Sequence, residues 1–254
     1  MKNKKSMLYV LGACLVVGII YAVASILPEA QAKLLLIGIA VTMLIIWMVA
    51  KMVRMSKLSK IVSGPTHLLH EEKEPVLYVE EMQEILNKVS GKQQKDLVRI
   101  NIAAGQVYAG QYEQALETLE VISVAGQPEV NRVLCYAYET MADFLSGQYN
   151  ALKSVMDEQR KLLKKYDSTT SGLTNNVLLM YAFELIVKGE YTEALERLDS
   201  LKGRKVSSIL QDMVDFSYLE CYRNLKKVEE RKQLLEQMKE RTLVPAIKNK
   251  ISEA

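Results

Sequence analysis

The chain has 254 residues, with 33 Lys or Arg against 30 Asp or Glu, a formal net charge of +3 and 49% hydrophobic residues. That length buries a real core, and Cys14, Cys135 and Cys221, without a CxxC spacing, give no basis for a disulfide framework or a zinc module. Residues 1–60 hold eight bases and one acid, Glu29, while residues 61–254 are mildly acidic. The basic excess therefore surrounds apolar segments instead of lining a phosphate-binding surface, so a membrane is expected and a nucleic-acid partner is not.

A basic N-terminus, residues 1–6, precedes an uncharged run over residues 7–27, long enough to cross the hydrocarbon layer as a helix. Residues 28–33 read as a short external loop and residues 34–53 as a second span, which Lys51 lengthens by snorkelling. Bases flank both outer ends, and the positive-inside rule puts the two termini in the cytoplasm. The expected location is the cell membrane, as a two-span hairpin. A signal peptide is the rival reading, because Ala30-Gln31-Ala32 resembles a processing site, but the first run exceeds a usual h-region. Cys14, Gly18 and Ala22 form a small-residue ridge on the first span, and Gly38 with Thr42 offers a similar face on the second. These residues are expected to pack the hairpin on itself.

Residues 54–75 read as a linker, first basic and then acidic, and Pro75 can open a helix. From Val76 the apolar residues recur at three and four, without convincing strand alternation. Helices are predicted near 93–109, 112–125, 129–146, 149–166, 175–188, 191–202, 206–224 and 226–241, and residues 242–254 as a tail or capping helix. The phrase GQYEQALETL at 110–119 returns as GEYTEALERL at 189–198. Gly110, Gly147 and Gly189 each follow one helical pattern and precede another, with Tyr112, Tyr149 and Tyr191 two residues on. Glycine there closes a helix in the left-handed conformation. Ala115 and Ala194 stand where the second helix crosses the first; Leu152 occupies that place in the middle copy.

This phrase, G-x-Y-x-x-A-L-x-x-L, resembles the corner between the two helices of a tetratricopeptide repeat (TPR). The junctions, placed at Gly110, Gly147, Gly189 and Asn224, lie 37, 42 and 35 residues apart, near the family period of about 34. The fold class expected is all-α: two N-terminal transmembrane helices, then a TPR-like α-solenoid of stacked hairpins over residues 76–241. The resemblance further implies that the first helix of each pair faces a concave, partner-binding groove. By register that groove takes Asn101, Tyr108, Tyr138, Met141, Phe144, Met180, Phe183, Asp215, Tyr218 and Tyr222. Being rich in aromatics and Met, it implies a protein partner bound through an apolar or aromatic peptide or helix. The same residues could instead fill the core between repeats.

Chemistry is sparse. There is no phosphate-cradling GxxxxGK[ST] loop and no GxSxG nucleophile elbow. His67 and His70, three apart beside Glu71, lack a second ligand cluster, so no metal is expected. Acids mix with Lys along helical faces, and no carboxylate pair stands isolated in an apolar setting as acid–base work needs. No catalytic residue, cofactor or small-molecule substrate is expected, and the chain does not read as an enzyme. The expected function is a membrane-tethered adaptor or assembly factor acting on proteins at the cytoplasmic membrane face. Two alternatives are a regulatory subunit whose hairpin binds a channel, transporter or secretion component, and a membrane enzyme of unrecognised class.

Overall fold

The structure is a computed structural model describing residues 28–167 and 171–252. It divides into two compact units, residues 1–58 and 59–254. The described part of the first is one helix, α1 (Glu29–Ser63), which runs on into the second. Its stretch Lys33–Ala50 has a mean hydropathy of 2.4 and no buried residue, and it is long and apolar enough to cross a membrane. Leu34, Ile37 and Trp47 are each at least 60% exposed, apolar surface that water does not tolerate in such density. The helix continues ten residues past the expected end of this span, through basic Lys57 and Lys60. Thr42 Oγ1 donates to the carbonyl of Gly38, at 2.8 Å, within the helix. The expected first span, with Cys14, Gly18 and Ala22, lies outside the described residues.

In the second unit every regular element described is helical. Short α2 (Thr66–His70) leads to α3 (Pro75–Lys88), which Pro75 opens as predicted, then α4 (Lys92–Ala109) and α5 (Tyr112–Glu120). A 3₁₀ turn at Val124–Gly126 follows, where the sequence suggested one longer helix. Next come α6 (Glu129–Ser146), α7 (Tyr149–Leu163), α8 (Thr174–Lys188), α9 (Tyr191–Asp199), α10 (Ser208–Asn224), α11 (Val228–Lys239) and α12 (Pro245–Ser252). First helices stack in a row, α4 on α6, α6 on α8 and α8 on α10. Second helices α5, α7 and α9 each pack against their own partner and against the first helix of the next pair. This is the stacking that lets a hairpin unable to bury its face alone build a continuous core.

The corners explain the repeated phrase. Gly110, Gly147 and Gly189 are left-handed, with φ of 83°, 80° and 82°. In each, the next amide reaches back five residues: Gln111 to Gln106, Gln148 to Asp143 and Glu190 to Leu185. That is the Schellman closure. Ala115 and Ala194 are fully buried at the crossings, and so is Leu152 in the middle copy. Tyr149 is 48% exposed, with its ring 6.5 Å from that of Phe144 across the corner. The fourth corner repeats the geometry with a different residue. Lys226 is left-handed at φ 57°, and the Lys227 amide bonds the Tyr222 carbonyl at 2.9 Å. The junction thus falls at Lys226, two residues beyond the expected Asn224 and 37 after Gly189.

Glycine is also required inside α4. A Cβ at Gly105 would stand 2.6 Å from Val79 Cγ2 and 2.9 Å from Tyr78 Cδ1, so its absence lets α3 lie against α4. The ends of the unit are drawn together: α12 packs on both α4 and α10, and α2 packs on both α3 and α10.

Candidate protein-binding surface

The row of first helices carries most of the aromatic and methionine set, and the structure buries it. Met141, Met180 and Phe183 have no exposed surface, and Tyr108 has 3%. The Tyr108 hydroxyl lies 3.9 Å from Met141 Sδ. Phe144 stacks on Phe183 with centroids 4.2 Å apart and meets Phe216 edge-on at 6.4 Å. Three consecutive first helices are thus joined through aromatic rings, a contact worth about 1 kcal/mol per pair beyond area burial. Asn101 is half-buried, donates to the Leu97 carbonyl and accepts from the Tyr78 hydroxyl. Tyr138 packs partly buried on the cluster of Ile100, Leu119, Ile122 and Cys135. Tyr218 donates to Asp199 at 2.6 Å, and its ring lies 5.8 Å from that of Tyr222. The structure brings Tyr108 to Met141 and Phe144 to Phe183 in this interior, keeps Tyr138 near Tyr108, and pairs Tyr222 with Tyr218.

What covers the ends of the row comes from the chain itself. Val244, Ala246 and Ile247 of the C-terminal segment have no exposed surface. Gly110, at the end of α4, comes close to Ala246, and Lys250 lines a recess with Phe144 and Phe216. The segment is fastened at Asp212 in the first turns of α10. This fully buried carboxylate accepts from Lys73 Nζ at 2.7 Å and from the Val244 amide at 3.1 Å, with an Arg241 nitrogen 3.2 Å away. Lys73 also donates to the Thr242 carbonyl at 2.6 Å, and Arg241 pairs with Asp215. Lys73 is itself left-handed, at φ 56°, a conformation non-glycine residues hold only when surroundings over-determine it. His70 offers its carbonyl to the Ser208 hydroxyl.

Sequence reasoning named Asp215 as a groove residue and allowed a capping helix at 242–254, where α12 lies, but did not single out Lys73, Asp212 or Arg241. Pro245 at the first position of α12 was the available signal for that helix.

A second polar cluster corrects the sequence reading. Glu139 and Asp143, four apart on α6, do form a carboxylate pair in an apolar setting. They line a recess of about 380 Å³ with Glu120 and with Leu116, Leu119, Ile122 and Val124. Asp143 is 2% exposed, and its Oδ2 has no hydrogen-bond partner. Burial, then the charges of Asp143, Glu158 and Glu120, push Glu139 up to about 7, and burial pushes Asp143 up to about 6. Buried Glu184 contrasts. Burial alone would raise it, but hydrogen bonds from Arg160 and Lys188, both at 2.7 Å, hold it below the usual range. Burial pushes the thiols of Cys135 and Cys221 up to about 12, which leaves them inert at neutral pH. His67 turns Nδ1 to the Gly64 carbonyl, and no three metal-ligating side chains converge among the described residues.

A family model described as the SusR N-terminal TPR domain matches residues 75–238, from the start of α3 to the last turn of α11. No curated protein and no solved structure matches the chain. The stacked first helices, the glycine corners and the match over most of the described chain agree: this chain belongs to the SusR N-terminal TPR domain family.

Proposed function

We propose that the chain is a membrane-tethered protein–protein interaction adaptor whose row of first helices takes a short apolar helix from a partner. One observation carries the reading: α12, a helix of eight residues burying Ala246 and Ile247, already lies across α4 and α10. TPR domains bind proteins, and this arrangement supports helix-in-groove recognition as the mode. The buried aromatic and methionine residues then serve as the floor beneath the occupant, with Phe144 and Phe216 nearest its C-terminal end. A partner segment competes with α12 for the same place. The apolar stretch of α1 and the bases around it support a bilayer anchor with the domain on the cytoplasmic side. Anchoring raises the local concentration of the domain towards other membrane proteins.

The test uses a chain ending at Arg241 beside the full-length protein, both in nanodiscs. The peptide Thr242–Ser252 should bind the shortened chain saturably and leave the full-length one untouched. Ile247→Glu in the peptide should abolish binding. A shortened chain that keeps its helical circular dichroism and ignores the peptide overturns the reading. A protease-cleavable reporter at the C-terminus tests the topology separately.

A further inference from the structure

We propose that the recess between α5, α6 and α7 binds an aliphatic ammonium or guanidinium group, with Glu139 and Asp143 receiving the cation and Leu116, Leu119 and Ile122 covering its stem. The first support is an imbalance. Elsewhere the buried acids have partners: Asp96 has Arg99 and Gln127, Glu184 has Arg160 and Lys188, and Asp212 has Lys73 and Arg241. Asp143 is as buried as these, yet Oδ2 has nothing to accept from, and among the described residues no cation pairs with Glu120, Glu139 or Asp143; Asp212 Oδ1 also accepts no hydrogen bond but has an Arg241 nitrogen 3.2 Å away. A buried, unpaired carboxylate is strongly disfavoured unless it is neutralised.

The shape of the recess says what kind of cation fits. Its walls are leucine, isoleucine, valine, Ala151 and the Cys135 thiol, with Gln148 the one neutral polar side chain, and the three acids stand on α5 and α6. No three ligating side chains converge on a metal ion among the described residues. Apolar walls around a carboxylate pair suit a cation carried on a hydrocarbon stem, as in lysine, arginine or a free alkylamine. The volume of about 380 Å³ is near the lower end for small-ligand sites, enough for one such group. α12 contributes nothing to the lining, so this site stands whether or not the adaptor reading does.

The titratable groups that face the pair are Glu120 on α5, the Cys135 thiol and Tyr136 phenol on α6, and Glu158 on α7. Cation binding must therefore compete with protons on carboxyls that titrate at about 6 and about 7.

The test is titration calorimetry on the full chain in neutral phosphatidylcholine nanodiscs, with side-chain carboxyl carbon NMR as a second readout. The probes are n-butylammonium, n-butylguanidinium, neutral n-butanol and a blocked arginine, Nα-acetyl-arginine N-methylamide. The cations should bind saturably at about pH 8 and roughly tenfold or more weakly at about pH 5, shifting the Glu139 and Asp143 resonances. The double variant Glu139→Gln, Asp143→Asn should keep its fold, since it removes unpaired charge, and lose about tenfold or more of the affinity. Blocked arginine binding more tightly than n-butylguanidinium identifies a protein side chain as the source; the reverse order identifies a free amine. Both orders uphold the site. Equal binding of n-butanol, unchanged binding by the double variant, or no saturation by any cation below about 10 mM overturns it.

Discussion

Asp212 and Asp143 are buried to nearly the same degree in one solenoid, and each has an oxygen that accepts no hydrogen bond, but only Asp212 has cations beside it. Asp212 collects a lysine, an arginine and a backbone amide from two distant segments. Asp143 collects nothing on Oδ2 and sits beside more acid. The first carboxylate spends its charge joining the linker and the C-terminal segment to α10, so it belongs to the architecture. The second keeps its charge in reserve, which is why it reads as a place for something from outside.

The largest effect expected from breaking this contrast is at Asp212. Asp212→Ala strands buried Lys73 and leaves Arg241 with Asp215 alone, and urea titration should show a loss of about 3–5 kcal/mol. A fourfold replacement, Lys73→Met, Asp212→Leu, Asp215→Leu and Arg241→Met, should return to within about 1–2 kcal/mol of the parent, because apolar packing substitutes for a complete ion cluster. Failure of that recovery would mean that the cluster holds the segments by geometry more than by charge balance.

The unpaired site should respond with the opposite sign. Glu139 and Asp143 hold protons more tightly folded, at about 7 and about 6, than at their ordinary 4.5 and 3.8. The folded state therefore carries more protons between those values, and this contribution to stability falls as pH rises through the window. Glu139→Gln with Asp143→Asn should raise unfolding free energy by about 1–2 kcal/mol at pH 8 and by nearly nothing below about pH 4. A destabilised double variant at pH 8 would erase the comparison. The smallest effect sets the scale of the backbone: Lys226→Gly relieves the left-handed lysine and should add about 0.5–1 kcal/mol, visible as a small rise in Tm.

Much of the solenoid was legible because its corners are chemically demanding. Glycine at 110, 147 and 189 announces a left-handed closure, and alanine at 115 and 194 announces a tight crossing. Lys226 conceals the fourth corner, since the surrounding hydrogen bonds impose what the residue type does not advertise. Tyr108, Met141, Phe144 and Phe183 were legible by repeat register as inward positions of successive first helices, but a period of 3.6 describes an inner groove and a filled interior equally well. What covers their ends is α12, and its residues carry no mark of where along the chain they dock. Glu139 and Asp143 share a helix face, a readable fact. Their isolation comes from α5 and α7, whose placement no local pattern fixes, so they looked like part of the ordinary mixed-charge surface.

Lys73 lies ten residues beyond the end of α1, and Arg241 lies just past the last repeat, yet both meet at one carboxylate. Peeling the C-terminal segment away removes one of the two cations and the Val244 amide together, leaving Lys73 to hold Asp212 alone. The linker and the tail therefore share a single mooring on α10: whatever lifts the tail leaves the linker held there by Lys73 without its companion.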